Sequence, residues 1–323
     1  MKKIKISKIF ANDNFEYLLI PRILESYFDV KLEWTSPAKC ELLIIGSYKK
    51  YEKFFRLFYT LINSNLKSIF DEFRKGLLFS KNKPVTILYL TEDERPFLTV
   101  ADFRIGSDYN YSNNENYLRI PVWKEYIDWS NLKLKKIPID CLNAKRFGLH
   151  YDINELIKPQ GLDLLSKQKK ICSFFSHLNP PRKELINLIN NVFEVSGFGV
   201  AFDKRIADHN NSNFFKKDIL NNYFANFCPE NSIFPGWYTE KVLDSFLGKS
   251  LPITWADQNI SKEFNSNSFI NLNNYSVQGI LDILQNLKSE DFLLNFTKEP
   301  ILLEKPNLNK EIEFTKKIIK NFL

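Results

Sequence analysis

The sequence predicts an α/β protein built from two domains. Short apolar strands alternate with amphipathic helical stretches along both halves of the chain, which is typical of parallel sheets flanked by helices. The length of 323 residues exceeds the usual size of one domain. Hydrophobic residues make up 44% of the chain and charged residues 26%, so it has enough apolar material for two cores and is not a disordered chain.

The N-terminal half shows this alternation most simply. Its predicted elements, in chain order, are a strand from Ile4 to Ile9, a helix from Tyr17 to Phe28, a strand from Glu41 to Ile45, a helical stretch from Tyr51 to Phe70, and strands from Val85 to Leu90, Ala101 to Ser107 and Tyr117 to Trp123. The stretch from Asn143 to Gly161 has no clear period and contains Pro159 and Gly161. We therefore predict domains at residues 1–158 and 159–323.

The C-terminal half begins with a strand, a polar loop and a helix between Lys170 and Ile189. A proline pair stands at the start of the helix, where proline is tolerated, and places Arg182 in the first helical turn. Apolar residues recur at helical spacing along this helix, at Leu185, Ile186, Ile189 and Val192. The segment from Val195 to Gly199 is predicted to be a flexible loop.

A second strand, loop and helix follow between Cys228 and Gly248. Thr239 is a good N-cap for a helix that runs to about Leu247, and Gly248 ends it. Unpaired N–H groups at a helix start favour a phosphate, and Lys241 adds a full positive charge there. Glu240 can accept hydrogen bonds from a ribose diol, as acidic residues do in other nucleotide sites. This arrangement fits a nucleoside diphosphate.

After that helix, a buried strand is predicted from Leu251 to Trp255 and a loop from Ala256 to Ser261. Taken singly, Glu240 and Lys241 are more often a solvated helix start, and Trp237 and Trp255 are more often core aromatics. The order and spacing of all these residues in one segment favour the functional interpretation.

The segment from Cys228 to Phe269 resembles the signature of the α-1,3/4-fucosyltransferases, glycosyltransferase family ten. The shared pattern is C-x-E-N-S, G-x-x-T-E-K-[IV]-x-[DE]-[AS]-[FY], P-I-x-W and F-N-x-x-S-F-[IV]. The resemblance implies a GT-B fold, in which two Rossmann-like domains face each other across a cleft. It also implies a GDP-fucose donor, inversion at the sugar carbon, and no metal or other cofactor.

The resemblance assigns the donor to the C-terminal domain and suggests a role for each matching residue. Arg182 and Lys241 would bind the donor phosphates, and Glu240 the ribose. The ribose, base or sugar would also contact Glu230, Asn231, Trp237 and Tyr238. The chain departs from the family pattern at Pro229, where an aromatic residue is usual, and at Trp237–Tyr238, which replace a Tyr–Val pair. Packing against the base or sugar can therefore differ.

Glu92 is the candidate general base. It follows the predicted strand from Val85 to Leu90 in a charged turn, and a carboxylate there can take the proton of an acceptor hydroxyl. The turn is similar to the family's G-E-N-x-x-P motif, whose glutamate aligns with Glu92, although Thr91 replaces the glycine. Asp93 and Glu94 are alternative candidates for this role. Without the family resemblance, the turn would be interpreted as a solvent-exposed group of charged residues.

The remaining features bear on cofactors, partners and location. Four scattered cysteines and three histidines form no zinc or disulfide pattern. The basic start of the chain has no apolar core of a signal peptide, so we expect a cytoplasmic protein. The net charge of +7 is spread along the chain, which argues against nucleic acid.

A last amphipathic helix carries apolar residues flanked by lysines. It either packs across the two domains or contacts the inner membrane leaflet at its periphery. The apolar face is formed by Leu308, Ile312, Ile319 and Phe322, and the lysines are Lys310, Lys316, Lys317 and Lys320.

The predicted function is transfer of L-fucose from GDP-fucose to an oligosaccharide acceptor, in α-1,3 or α-1,4 linkage. The acceptor would contain N-acetylglucosamine or glucose, as in a bacterial cell-surface lipopolysaccharide. One alternative is a transferase for another GDP-linked deoxysugar. The other is a non-catalytic glycan- or nucleotide-binding protein on the same fold.

Overall fold

A computed structural model describes residues 1–9, 13–46, 84–93, 95, 101–161, 163–202 and 215–322. Two predictions lie outside these residues: the helical stretch from Tyr51 to Phe70, and Glu94 as a competitor of Glu92. Among the described residues, no helix has the length and apolar character needed to cross a membrane.

The described chain divides into two compact units. Unit 1 comprises residues 1–120, 132–135 and 308–323, and unit 2 comprises residues 121–131 and 136–307. This division differs from the predicted boundary at residue 158. Residues 121–131 belong to unit 2 because Val122 packs against Phe234 and Trp237, and because Trp123 Nε1 donates a hydrogen bond to Glu263 Oε2 at 2.6 Å.

Unit 1 contains a six-stranded parallel sheet in the order β2-β1-β3-β4-β5-β6. Its strands are β1 (Lys2–Ile9), β2 (Val30–Trp34), β3 (Leu42–Ile45), β4 (Val85–Tyr89), β5 (Phe103–Gly106) and β6 (Tyr117–Arg119). Helix α1 (Leu19–Tyr27) connects β1 to β2. The residues of β3 are all buried, as expected for a central strand of a parallel sheet covered on both faces.

Unit 2 contains a five-stranded parallel sheet in the order β11-β10-β9-β7-β8. Its strands are β7 (Gln168–Phe174), β8 (Val195–Phe198), β9 (Tyr223–Phe227), β10 (Leu251–Thr254) and β11 (Ile270–Asn271). Its helices are α2 (Ala144–Phe147), α3 (Ile153–Leu156), α4 (Asp163–Ser166), α5 (Arg182–Asn190), α6 (Lys216–Leu220), α7 (Lys241–Leu247), α8 (Val277–Asn286) and α9 (Glu290–Leu294).

Short 3-10 helices fill several of the connections. They lie at Asp13–Tyr17, Pro37–Lys39, Tyr109–Tyr111, Val122–Tyr126, Ser130–Leu132, Val200–Phe202, Gln258–Lys262, Ser266–Ser268 and Leu272–Asn274. The core of unit 2 forms where α5 and α8 cover the sheet: Ile189 and Leu284 are fully buried there, with Phe227 of β9 and Ile253 of β10. This packing holds the carboxyl ends of β7 and β9 in place.

Helix α10 (Asn309–Ile319) packs on α1 and β6 in unit 1. Phe314 and Ile318 are buried, and the Phe314 ring meets Phe103 edge-on with centroids 5.7 Å apart. The predicted apolar face is partly displaced: Leu308 and Ile319 are buried, whereas Ile312 and Phe322 are half-buried. The face that could have met a bilayer is largely taken up by packing within unit 1.

The α/β class with two parallel sheets confirms the fold prediction, and most predicted strands lie within a residue or two of those observed. The loop predicted from Val195 to Gly199 is wrong: Val195–Phe198 form strand β8, which pairs in parallel with β7, and Gly199 follows it. Strand β2 was not predicted. The strand expected from Tyr117 to Trp123 ends at Arg119, because Pro121 follows and a 3-10 helix begins at Val122.

Candidate functional site

The strand order of unit 2 determines where a ligand can bind. The chain places β8 on one side of β7 and then β9 on the other, so the connections leave β7 and β9 in opposite directions. In open α/β sheets, ligands bind outside the carboxyl ends of the strands at such a switch point. The segment after β7 leads to Arg182, and the segment after β9 carries Glu230 and Asn231. The predicted donor residues therefore converge at the switch point.

Arg182 is held at the start of α5 by three contacts. Its guanidinium lies over the Phe175 ring, 5.0 Å from the centroid. One terminal nitrogen donates to the carbonyl oxygen of His177 at 3.1 Å, and the other donates to Asn231 Oδ1. Burial lowers the pKa of Arg182 from its ordinary value, while Glu230 opposes that shift. The guanidinium charge is thus partly withdrawn from water. In this less polar surrounding it attracts an anion more strongly.

Lys241 and Glu230 form an ion pair at the start of α7. Lys241 Nζ lies 2.8 Å from Glu230 Oε2, with the lysine side chain 16% exposed and the glutamate side chain 1% exposed. The same ammonium donates to Thr239 Oγ1 at 2.7 Å. An ammonium has three hydrogens. Within the described part of the chain, these two acceptors leave the third hydrogen for a ligand.

Thr239 joins this ion pair and does not act as the predicted N-cap. Its backbone N–H donates to Glu230 Oε1 at 2.8 Å, and its hydroxyl donates to the same carboxylate. Helix α7 begins at Lys241, with Glu240 in the N-cap position and no side-chain capping bond. The buried Glu230 carboxylate thereby fixes the chain that enters the helix. It is turned toward Thr239 and Lys241, so its predicted contact with the donor remains a prediction.

The charges around α7 support one another. Burial alone would raise the pKa of Glu240, but Lys241 and Lys216 together hold it below its ordinary value. Burial would lower the pKa of Lys241, and the attraction of Glu230 and Glu240 raises it instead, against repulsion from Arg182. Both side chains are therefore ionised at neutral pH. The start of α7 therefore carries both a cation, Lys241, and an anion, Glu240.

Below Glu240, one helical turn along α7, lies a fully buried carboxylate. Asp244 Oδ2 is 2.7 Å from Lys216 Nζ. Its other oxygen accepts from the Tyr151 hydroxyl at 2.5 Å and from Asn143 Nδ2 at 2.8 Å. The Tyr151 hydroxyl also lies 3.4 Å from the carbonyl oxygen of Glu240. This cluster ties α2, the segment before α3, and α6 to the helix that carries Glu240 and Lys241.

The predicted aromatic residues lie beside this site but are buried. Trp237 is 3% exposed and packs on Phe234, and its indole N–H has no hydrogen-bond acceptor among the described residues. The Tyr238 hydroxyl donates to Asp257 Oδ1 at 3.1 Å, and burial raises the pKa of the phenol. Asn231 is exposed and accepts from Arg182. A direct contact of Trp237 or Tyr238 with a ligand remains a prediction.

Glu92 belongs to unit 1. It is exposed in the turn that follows β4, which pairs in parallel with β3 and β5. Nearby Arg95 Nε lies 2.5 Å from the buried carboxylate of Asp108. Arg119 Nε donates to the carbonyl oxygen of Ser107 at 2.7 Å, and its guanidinium lies over the Tyr109 ring. Glu92 thus stands at the carboxyl end of a strand, as predicted, and its role as a base remains a prediction.

Sequence reasoning missed Lys216, Asp244, Tyr151 and Phe175. Asp244 did carry a signal, because it is a carboxylate among the apolar residues of α7 and requires a buried partner. The other three had none in the local pattern. Across the described residues, no group of three or more His, Cys, Asp or Glu side chains is placed to hold a metal ion.

A sequence model described as "Glycosyltransferase family 10 (fucosyltransferase) C-term" matches residues 164–296, which include Arg182, Glu230 and Lys241. The alpha-(1,3)-fucosyltransferase FucT of Helicobacter pylori is 28% identical over 221 residues, which cover 62% of this chain and 43% of that protein. The human 4-galactosyl-N-acetylglucosaminide 3-alpha-L-fucosyltransferase 9 is 27% identical over 122 residues, 36% of this chain and 33% of that protein. The chain thus matches less than half the length of these curated relatives.

A crystal structure of an alpha1,3-fucosyltransferase with GDP-fucose superposes with a TM-score of 0.66 at 20% identity, over 100% of this chain and 92% of that one. At this identity the likeness establishes the fold, and it agrees with a GT-B-type chain of two Rossmann-like units. The sequence signature, the matched region and the fold agree with one another. Residues 164–296 thus match glycosyltransferase family 10, the fucosyltransferases, and the described chain shares the fold of an alpha1,3-fucosyltransferase.

Proposed function

We propose that the protein transfers L-fucose from GDP-fucose to a hydroxyl group of an oligosaccharide. The observation that carries this proposal is the cluster of Arg182, Glu240 and Lys241 at the switch point of unit 2, inside the region that matches the family. Two cations and one ionised carboxylate suit a nucleoside diphosphate, since the cations meet the phosphates and the carboxylate meets the ribose.

In the proposed reaction, the acceptor oxygen attacks the anomeric carbon of fucose as the bond from that carbon to the GDP oxygen breaks. Attack from the face opposite the leaving group inverts the configuration. Glu92 takes the acceptor proton, because a neutral hydroxyl is a poor nucleophile. Arg182 and Lys241 stabilise the charge that develops on the departing GDP. The chemistry supplied by these residues requires no metal ion.

The experiment that tests the proposal is a GDP-release assay with a panel of GDP-sugars. GDP-fucose with an acceptor ending in N-acetylglucosamine or glucose should release GDP and form a product in α-1,3 or α-1,4 linkage, identified by NMR of the new glycosidic bond. If GDP is released faster from another GDP-deoxysugar, that sugar nucleotide and not GDP-fucose is the donor. GDP binding without release from any donor would support the non-catalytic alternative and overturn the proposal.

The proposed acceptor is a cell-surface glycan such as lipopolysaccharide, and the proposed location is the cytoplasm. All four cysteines are buried thiols, which agrees with a reducing compartment. Peripheral membrane contact would depend on exposed lysines of α10, such as Lys310 and Lys316, because its apolar residues are largely buried. Sedimentation with anionic vesicles at low and high salt tests this contact, which should weaken as salt screens the lysines.

A further inference from the structure

Five charged side chains of alternating sign follow one another through the site of unit 2. Glu230 pairs with Lys241 at 2.8 Å, and Asp244 pairs with Lys216 at 2.7 Å. Glu240 precedes Lys241 at the N-cap position of α7, and its carboxylate is attracted by both lysines. The Glu230–Lys241 pair holds the phosphate end of the site, whereas no role in ligand binding has so far been assigned to the Lys216–Asp244 pair.

The Lys216–Asp244 pair is withdrawn from solvent. The Asp244 side chain is 0% exposed and the Lys216 side chain 12% exposed. Asp244 accepts further hydrogen bonds from Tyr151 and Asn143, so its oxygens have three partners. The Lys216 ammonium also lies over the Phe174 ring at the end of β7, 5.3 Å from the centroid. The pair therefore has a single, well-defined arrangement.

Stability alone does not explain a buried ion pair of this kind. Removing two charges from water costs several kcal/mol per ion, and replacing such a pair by apolar residues of similar size is often neutral or stabilising. The arrangement does have one local consequence: Lys216 attracts Glu240, and Tyr151 lies between Asp244 and the Glu240 carbonyl oxygen. The pair thus acts on the carboxylate that is predicted to bind the ribose.

We infer that Lys216, Asp244 and Tyr151 are positioning residues that fix the start of helix α7 and so orient the Glu240 side chain for the ribose hydroxyls of the nucleotide. This inference rests on the proposed GDP-sugar site. None of the three need touch the ligand. Their effect should be confined to the ribose end, because the phosphate end is fixed separately by Glu230, Thr239 and Asn231.

The test compares GDP with 2′,3′-dideoxy-GDP, which lacks both ribose hydroxyls, by titration calorimetry. In the wild-type protein, a hydrogen bond to an ionised carboxylate should make GDP bind at least about tenfold more tightly than the dideoxy analogue. In the double variant Lys216→Met/Asp244→Leu, this ratio should fall below about threefold, since Glu240 loses its support. Affinity for the dideoxy analogue should stay within about threefold of wild type.

Three further variants test whether the affinity ratio depends on the charge of Lys216 and the hydroxyl of Tyr151. Lys216→Arg keeps the charge and should retain most of the ratio. Tyr151→Phe keeps the ring and removes the hydroxyl, so it should lower the ratio on its own and serves if the double variant does not fold. Lys217→Met removes the neighbouring exposed lysine of α6 and should leave the ratio unchanged.

Each outcome is decisive. A wild-type ratio in both the double variant and Tyr151→Phe would overturn the inference while leaving the proposed function intact. An equal loss of affinity for GDP and its dideoxy analogue would also overturn it, because it indicates general damage to the site. No binding of GDP by the wild-type protein would overturn the proposed function together with the inference.

Discussion

At the scale of single residues, Lys241 shows how one ammonium can be both part of the structure and available to a ligand. Two of its three hydrogens go to Glu230 and Thr239. These partners fix the direction of the third hydrogen, so that binding an anion costs little further side-chain entropy. Arg182 is fixed in the same manner by His177, Asn231 and the Phe175 ring.

We predict that Arg182→Ala and Lys241→Ala each weaken GDP binding at least about tenfold, because a charge-assisted hydrogen bond contributes about 1.5–3 kcal/mol. Calorimetry measures the affinity, and Lys183→Ala removes an exposed charge in the same helical turn as Arg182 for control. Lys241→Ala also leaves the Glu230 carboxylate buried without its cation, so circular dichroism must show a folded variant. Unchanged GDP affinity in both variants would remove the phosphate assignment.

A second prediction concerns Glu92. Glu92→Gln keeps the shape of the side chain and removes its basicity, so fucose transfer should fall by about 10²–10⁴-fold. GDP affinity should stay near wild type, because Glu92 belongs to unit 1 and the residues proposed to bind the nucleotide belong to unit 2. Asp93→Asn is the matched control in the same turn. If Asp93→Asn abolishes transfer while Glu92→Gln does not, the base is Asp93.

At the scale of elements, the site is built from loops that follow the carboxyl ends of β7 and β9. Strands bounded by glycine and proline, and the first turn of α5, are local signals, which is why the positions of Arg182 and Lys241 at helix starts could be predicted from the sequence. The Lys216–Asp244 pair could not, because the two residues lie 28 positions apart. Lysine is mostly exposed in folded proteins, so the sequence favours an exposed Lys216. Strand β8 was mistaken for a loop because it is short and contains Gly197.

Gly199 provides the test at this scale. It follows β8 with φ +96°, and an added Cβ atom would collide with the backbone carbonyl oxygen of Phe175, the residue on which Arg182 lies. Gly199→Ala should lower the free energy of unfolding by about 3 kcal/mol or more. Gly161→Ala is the matched control, with φ +87° and open space around the new atom, and should cost about 1 kcal/mol. Urea denaturation measures both, and equal losses would contradict the predicted collision.

At the scale of the whole molecule, both units have a parallel sheet that starts at one edge with the strand order 2-1-3 and continues with the later strands toward the other edge. This repetition was predictable as a fold class, since strands and helices alternate in both halves. The exact bounds of the two units were not predictable, because the contacts that assign residues 121–131 to unit 2 and 308–323 to unit 1 join distant parts of the chain.

We predict that transfer by the whole enzyme continues in EDTA at an unchanged rate. The reason is the proposed role of Arg182 and Lys241, which would supply the positive charge that many nucleotide-sugar enzymes obtain from a divalent ion. The measurement is GDP release before and after chelation, with added manganese or magnesium in a parallel sample. Loss of turnover in EDTA that either ion restores would show that the departing diphosphate is stabilised by a metal.

The packing of α10 on α1 has a consequence for how the protein is made. Unit 1 starts at the first residue of the chain, but its contacts are completed by residues 308–323. During synthesis, residues 136–307 of unit 2 leave the ribosome before α10 does. Unit 2 can therefore complete its contacts while the surface of α1 that α10 covers is still exposed. We therefore expect unit 1 to complete its native contacts after unit 2, although most of unit 1 is synthesised first.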